Sequence, residues 1–272
     1  MSTISLLGDC QVALPLAIFL GQESQYTKIR IVGSISPQNL SIAQDCLANS
    51  GSYTNLDQCQ SGASLNSSDI IIICSSLHKT SLSFPLDPFI NRINSNAKIL
   101  VVGRSVCRLS ADISKMIGGS ACRILGIPAT GSAYLRRHIA NQIGVATEDI
   151  TTFTIGNDQE VQIIPQYCRV NGIPIQHFLS NSQINEIISL KRIPISIDLI
   201  KVSLAQVVNA IIQDKKRLLT VASSTHTTHH IFLRLPTRIG QTGAESTFPL
   251  DLEPQQLDKF TRLVTNCVVS QI

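Results

Sequence analysis

Residues 4–32 read ISLLGDCQVALPLAIFLGQESQYTKIRIV, and the alternation inside them decides the fold. A short apolar run at 4–7 stops at Gly8. An apolar stretch at 12–20, interrupted by Pro15, then has the composition of a buried helix, and a polar break leads to a second strand-like run at 28–32. Working outward, residues 42–48 have the pattern of a short helix. DIIIIC at 69–74 and KILVV at 98–102 are β-branched runs without polar alternation, as strands buried on both faces require. Strand, helix and strand repeated at this spacing predict an α/β chain with a Rossmann-like doubly wound parallel sheet. In such sheets ligands sit where strands end and helices begin.

Past residue 126 the pattern changes. Residues 134–143 have helical spacing, 149–155 and 161–164 read as strands, and Asn171-Gly172 between 167–170 and 173–175 reads as a hairpin turn. SLAQVVNAIIQDKKR at 203–217 is predicted as a helix with one apolar stripe, its Lys215, Lys216 and Arg217 placed at the C-terminal end where cations suit the dipole. Residues 218–223 and 231–235 are expected to pair antiparallel, and 257–269 to close the chain as a helix. The expected organisation is a parallel-sheet domain over 1–126 followed by an α+β, substrate-type domain over 127–272.

With 272 residues and 43% hydrophobic content the chain can bury a real core, and its formal net charge of +4 comes without a run of like charges, so nucleic acid is not an expected partner. The cysteines at 10, 46, 59, 74, 107, 122, 168 and 267 form no C-x-x-C pair, and they read as small core residues of a reducing compartment. The opening residues have no secretory pattern, and the longest apolar stretch falls far short of the roughly 20 residues a bilayer needs. A cytoplasmic setting without membrane insertion is expected.

Strand 4–7, the turn Gly8, Asp9, Cys10, Gln11 and Val12, a helix and strand 28–32 form the frame of a dinucleotide-binding βαβ unit. There the glycines admit the pyrophosphate, and an acid ending the second strand accepts hydrogen bonds from the ribose. Of the three glycines only Gly8 is present. Cys10 and Ala13 hold the other two positions, and Gly33 stands where the carboxylate belongs. Further segments follow in order: Ser41-Ile42-Ala43-Gln44-Asp45, residues 69–77, 145–150, Asn171-Gly172-Ile173-Pro174-Ile175, 207–219, Arg234-Leu235-Pro236, and Ile239-Gly240-Gln241-Thr242-Gly243. In that order the chain resembles the lactate/malate dehydrogenase family nearly end to end.

The resemblance implies hydride transfer with NAD(H), a histidine acid/base, an aspartate holding it, an arginine clamping the substrate carboxylate and another arginine on a mobile loop. Those family positions fall on Asn157, Gly131, Tyr134 and Pro85 respectively, none of which supplies the required chemistry. Arg136 and Arg137 follow Tyr134, but on a helix they point about 200° and 300° away from it. The loop after residue 75 is short, Gly103-Arg104-Ser105 replaces the family's Ser-Asn-Pro, and the segment at 191–201 is shortened as well. Taken together, these losses lead to the expectation of a catalytically inactive family member kept as a structural, assembly or regulatory partner. It would act in a homo-oligomer or a protein complex, with no cofactor, or NAD(H) if any on the vestigial turn Gly8 to Val12.

Several residues stay open to other readings. Lys79, Arg104 and Arg136, with Arg137, are candidates for an anion site or are simply solvated. His226, His229 and His230 lie at a predicted strand tip and read as a solvated loop rather than a metal site. Asp158 and Glu160 beside Asn157 are candidates for rebuilt acid/base groups. Two functional alternatives accompany the inert reading. One is a nucleotide or small-anion sensing module; the other is an active NAD(P)-dependent 2-hydroxy-acid oxidoreductase with relocated residues, its proton donor drawn from His78, His138 or His177.

Overall fold

The four isoleucines and the cysteine of Ile70–Cys74 are all buried, as a strand flanked on both edges and covered on both faces must be. The computed structural model describes residues 2–23, 28–60, 62–128, 132–188, 195–226 and 231–271. In chain order the first elements are β1 (Thr3–Gly8), α1 (Cys10–Gln22), β2 (Lys28–Val32), α2 (Pro37–Asn49), β3 (Asn55–Cys59) and β4 (Ile70–Cys74). Then come α3 (Asp87–Ile90), β5 (Lys98–Val102), α4 (Val106–Ile117) and β6 (Ile124–Ile127). The second half adds α5 (Ser132–Ile143), β7 (Ile150–Thr151), β8 (Thr154–Gly156), β9 (Val161–Ile163), β10 (Arg169–Val170), β11 (Ile173–Pro174), α6 (Asn181–Ile188) and α7 (Ile197–Ile212). Strands β12 (Arg217–His226), β13 (Ile231–Gly240) and β14 (Gly243–Thr247) and helix α8 (Pro254–Gln271) complete it.

Strands β3-β2-β1-β4-β5-β6 pair in parallel in that order, so the strand order reverses between β1 and β4. Alternation assigns the faces. Ile4, Leu6, Ile29, Ile31, Ile72 and Leu100 pack under Leu16 and Leu20 of α1, Leu47 of α2, and Leu204, Val208 and Ile211 of α7. Leu7, Ile71, Ile73, Ile99 and Val101 point the other way, against Leu86 and the α4 residues Val106, Leu109 and Ile113. The sheet continues past β6, because β12 lies antiparallel to it through the single bridge of Ala222 to Gly126, and β13, β8 and β9 follow.

The expected Rossmann-like parallel sheet is present, and so is the hairpin at Asn171-Gly172, whose φ values of 45° and 86° carry the chain from β10 to β11. Helix α1 runs through Pro15 and is capped by Asp9, whose carboxylate accepts from the Gln11 N–H at 3.0 Å. Three expectations need correction. The strand read at 149–155 is two, β7 and β8. The strand read at 167–170 keeps only β10, because 165–167 form a 3₁₀ turn.

The helix read at 203–217 is α7, which begins earlier on a Ser196 cap and ends at Ile212. It stops because Asp214 and Lys216 adopt positive φ, and Arg217 already opens β12. Lys216 therefore serves no helix dipole. It pairs with Asp214 at 2.8 Å and with Glu245, which also holds Arg238 at 3.2 Å. The Lys216 ammonium holds both carboxyls below their ordinary range. A carboxyl held low adds stability above its unfolded-state value and loses it as pH falls through the folded one. Glu245→Gln is expected to flatten the loss of stability on acidification, read from urea midpoints at neutral and acid pH; an acid slope equal to wild type would show the cluster to be irrelevant. No described helix is long and apolar enough to cross a membrane.

Candidate active site

A cleft of about 590 Å³ opens where β5 ends and α4 begins. Gly103, Arg104 and Ser105 form that turn. A Cβ on Gly103 would stand 3.0 Å from Leu109 and 3.1 Å from Ser75, so only glycine fits comfortably beneath the turn. Across the cleft, β8 ends at Gly156, whose φ of 141° and closeness to the Glu160 carbonyl make a tight turn into β9. Asn157 stabilises that turn. Its side-chain oxygen accepts from the N–H groups of Gln159 and Glu160 at 2.8 Å each, while its Nδ2 donates to Cys267 Sγ of α8 at 3.3 Å.

The turn delivers Asp158 to the N-terminus of α4. Its carboxylate accepts from Cys107 N–H at 3.1 Å and Arg108 N–H at 3.0 Å, where backbone donors lack helical partners. Arg234 of β13 approaches it at 3.5 Å; both side chains are about one-tenth exposed, and the Arg234 Nε has no partner. Burial pushes the thiols of Cys107 and Cys267 up, with Asp158 adding to both, while Arg234 opposes the shift at Cys107 and the Asn157 bond opposes it at Cys267. Both thiols therefore stay protonated and are poor nucleophiles. Arg104, Arg108, Gln159, Asn266 and Thr80 complete the polar lining.

The sequence-derived candidates separate accordingly. Arg104 and Asn157 line the cleft, and Asp158 does so as a capping carboxylate. Tyr134 does not line it; its ring stacks with His138 at 6.3 Å and lies under Arg137 at 5.7 Å. Arg136 sits elsewhere on α5, half-buried, its pKa lowered by burial and by the like charge of Arg217. Lys79 is exposed beside Thr80, and Pro85 is exposed next to Phe84. Gly131, Lys191, His229 and His230 lie outside the described residues, and nothing is described of the His226 side chain. In the turn Gly8 to Val12, Gly8 closes β1 at φ 124°, Cys10 and Gln11 are exposed, and Val12 is core.

Arg108, Arg234, Asn266 and Cys267 were not anticipated. Arg234 had a signal, since an arginine inside the buried strand run IFLRL demands an anionic partner.

For a dinucleotide, the backbone offers a fit at the β1–β4 reversal. Gly8 is in the left-handed region, and a Cβ on Gly33 would meet only the Gly8 carbonyl at 4.0 Å, leaving space beyond β2. Against it, the Phe84 ring lies on Gly8 and the Asp9 carboxylate occupies the start of α1. The backbone at Gly8 and Gly33 leaves room for a dinucleotide, while the Phe84 ring and the Asp9 carboxylate both stand against one.

No family model matches the chain. It is 27% identical over 202 residues to malate dehydrogenase of Thermoplasma acidophilum, covering 66% of this chain and 62% of that protein. It is 29% identical over 196 residues to malate dehydrogenase of Picrophilus torridus, covering 64% and 60%. The aligned stretch thus spans about three-fifths of these relatives. Among solved structures, lactate dehydrogenase of Cryptosporidium parvum in complex with lactic acid and NAD superposes with a TM-score of 0.86 at 19% identity, over 99% of this chain and 98% of that one. The apo malate dehydrogenase of Picrophilus torridus superposes at 0.83 and 20%, over 99% and 96%.

The architecture is the mixed α/β, Rossmann-like fold of lactate and malate dehydrogenases. The relatives it resembles in sequence are named malate dehydrogenases, and the fold it shares is that of lactate and malate dehydrogenases.

These similarities correct the expectation of an inert structural partner and the leaning against an enzyme: the relatives and structural neighbours are named malate and lactate dehydrogenases, which points to dehydrogenase activity. They also remove the ground for expecting no cofactor, since some of those neighbours hold NAD or NADH. The physical reason is that replaced residues at aligned positions measure departure from one arrangement of groups, not the absence of every arrangement.

Proposed function

We propose that the chain is an NAD(P)-dependent oxidoreductase of small 2-hydroxy or 2-oxo acids, with its proton-exchanging and anion-binding groups relocated. The carrying observation is the cation-rimmed cleft at the end of β5, where Arg104 and Arg108 flank the start of α4. Asp158 already caps the N-terminus of α4 and Arg108 Nε lies 3.9 Å from Asp112, so Arg104 is the guanidinium left to draw in and orient a small carboxylate, with Arg108 beside it. Asp158 keeps Arg234 compensated and fixes the turn that forms the opposite wall. Asn157 cannot exchange a proton near neutrality and serves as the brace of that wall. We assign proton exchange to His78, an exposed imidazole two residues from the cleft-lining Thr80 on the same loop. Nicotinamide, when bound, supplies hydride exchange at the carbon bearing the hydroxyl.

The test is the purified chain with NADH or NADPH and a panel of 2-oxo acids, followed by loss of reduced-nicotinamide absorbance. Turnover above the protein-free control is expected, and its absence across the panel ends the proposal. In that assay Arg104→Ala is expected to raise KM for the acid about tenfold with a smaller change in kcat, the pattern of lost ground-state binding. His78→Gln is expected to lower kcat at least about a hundredfold with little change in KM; an unchanged kcat would take the proton role away from His78.

A further inference from the structure

The strand order reverses between β1 and β4, and the crevice there lies between the β1–α1 turn and the loop that leaves β4. That loop does not leave the crevice open. A Cβ built on Gly8 would stand 2.4 Å from Cε1 and 2.9 Å from Cδ1 of Phe84, so the ring rests directly on the glycine's Cα. Phe84 is joined there by Leu82 and Leu86, packed into the cluster of Leu7, Val32 and Ile73.

The loop is anchored at its start by Ser75 N–H donating to the Val102 carbonyl at 2.8 Å, and beyond that its polar links are internal and long, His78 N–H to Ser76 Oγ at 3.2 Å among them. Ser75 Oγ donates to the Ser81 carbonyl at 3.2 Å and Ser76 N–H donates to Ser83 Oγ at 3.3 Å, both long for hydrogen bonds. An aromatic ring therefore occupies the place where a backbone would approach a diphosphate, held mainly by apolar contact, since among the described residues no polar link ties 82–85 except the long one at Ser83 Oγ. A Cβ on Gly8 would also clash with the Cys74 carbonyl, so no larger residue fits beneath the ring.

We propose that Phe84 is a built-in plug of the nucleotide crevice, and that the loop over 75–86 must withdraw before a dinucleotide diphosphate binds. The proposal rests on the oxidoreductase reading above and adds to it a competition between the chain's own side chain and its cofactor. Binding is then weakened by the fraction of molecules with the crevice closed. Replacing the ring by a methyl group removes the competitor and leaves Arg104 and Arg108 of the cleft in place.

The experiment is calorimetric titration of wild type and Phe84→Ala with NADH and NADPH, together with amide hydrogen exchange of wild type with and without saturating NADH. Phe84→Ala is expected to bind about tenfold tighter, and bound NADH is expected to speed exchange of the Ser76 and neighbouring amides. Equal affinities overturn the plug and leave the oxidoreductase reading standing, as does exchange that is unchanged or slower. Failure of both proteins to bind either nucleotide overturns both. Should the alanine variant fail to fold, the exchange measurement on wild type decides alone.

Discussion

Asp158→Ala is expected to lower unfolding free energy by about 3–5 kcal/mol, the range for removing one partner of a buried ion pair. The 3.5 Å separation from Arg234 is long, so little of this is direct attraction. Most comes from what is left behind: a guanidinium about one-tenth exposed, with an Nε that already lacks a partner, becomes an uncompensated buried charge. Losing the cap on Cys107 N–H and Arg108 N–H adds about 1 kcal/mol. Asp158→Asn keeps an acceptor at the helix start and should cost less. Asp158→Ala combined with Arg234→Leu should regain part of the loss, since the stranded charge goes with its partner. Urea denaturation of the three variants measures this. A loss under about 1 kcal/mol in Asp158→Ala would mean that Arg234 finds water.

Gly126→Val is expected to cost about 3 kcal/mol, at the upper end for overpacking. Gly126 carries the only bridge between β6 and β12 among the described residues. A Cβ there would meet Ala222 Cβ and Ser110 Oγ at 2.8 Å and the Val106 carbonyl at 3.0 Å. The Ser110 hydroxyl can turn away, but the other two belong to a strand and to a helix backbone. Relief therefore requires β6, β12 and α4 to separate. Ala222→Gly in the same chain should restore part of the stability, measured by thermal unfolding; no restoration would place the strain elsewhere.

Residues differ in how plainly they announce their places. The isoleucines of β4 and the KILVV of β5 are legible because burial on both faces leaves no polar alternation to misread. Asn171-Gly172 is legible because few residue pairs accept two positive φ values in succession. Helix α4 carries a clear apolar stripe of Val106, Leu109 and Ile113 that was legible in the sequence and went unread, whereas β3 is a polar edge strand, NLDQC, that needs burial on few positions.

The site was the least legible part, because its contacts are distant in sequence. Asp158 meets Cys107 and Arg108 some fifty residues away and Arg234 seventy-six away. Phe84 reads as a loop aromatic beside proline until Gly8 is seen beneath it. Local pattern reports which residues are inside; it does not report which loops converge.

The uninterrupted run of strands from β3 through β6 into β12, β13, β8 and β9 has a mechanical meaning. Yet among the described residues the run narrows to one bridge at Ala222 to Gly126 and one at Arg234 to Gly156, so at those two seams the halves are held less by backbone bonds than by side chains such as Ala222 and Phe232 packed against Leu109.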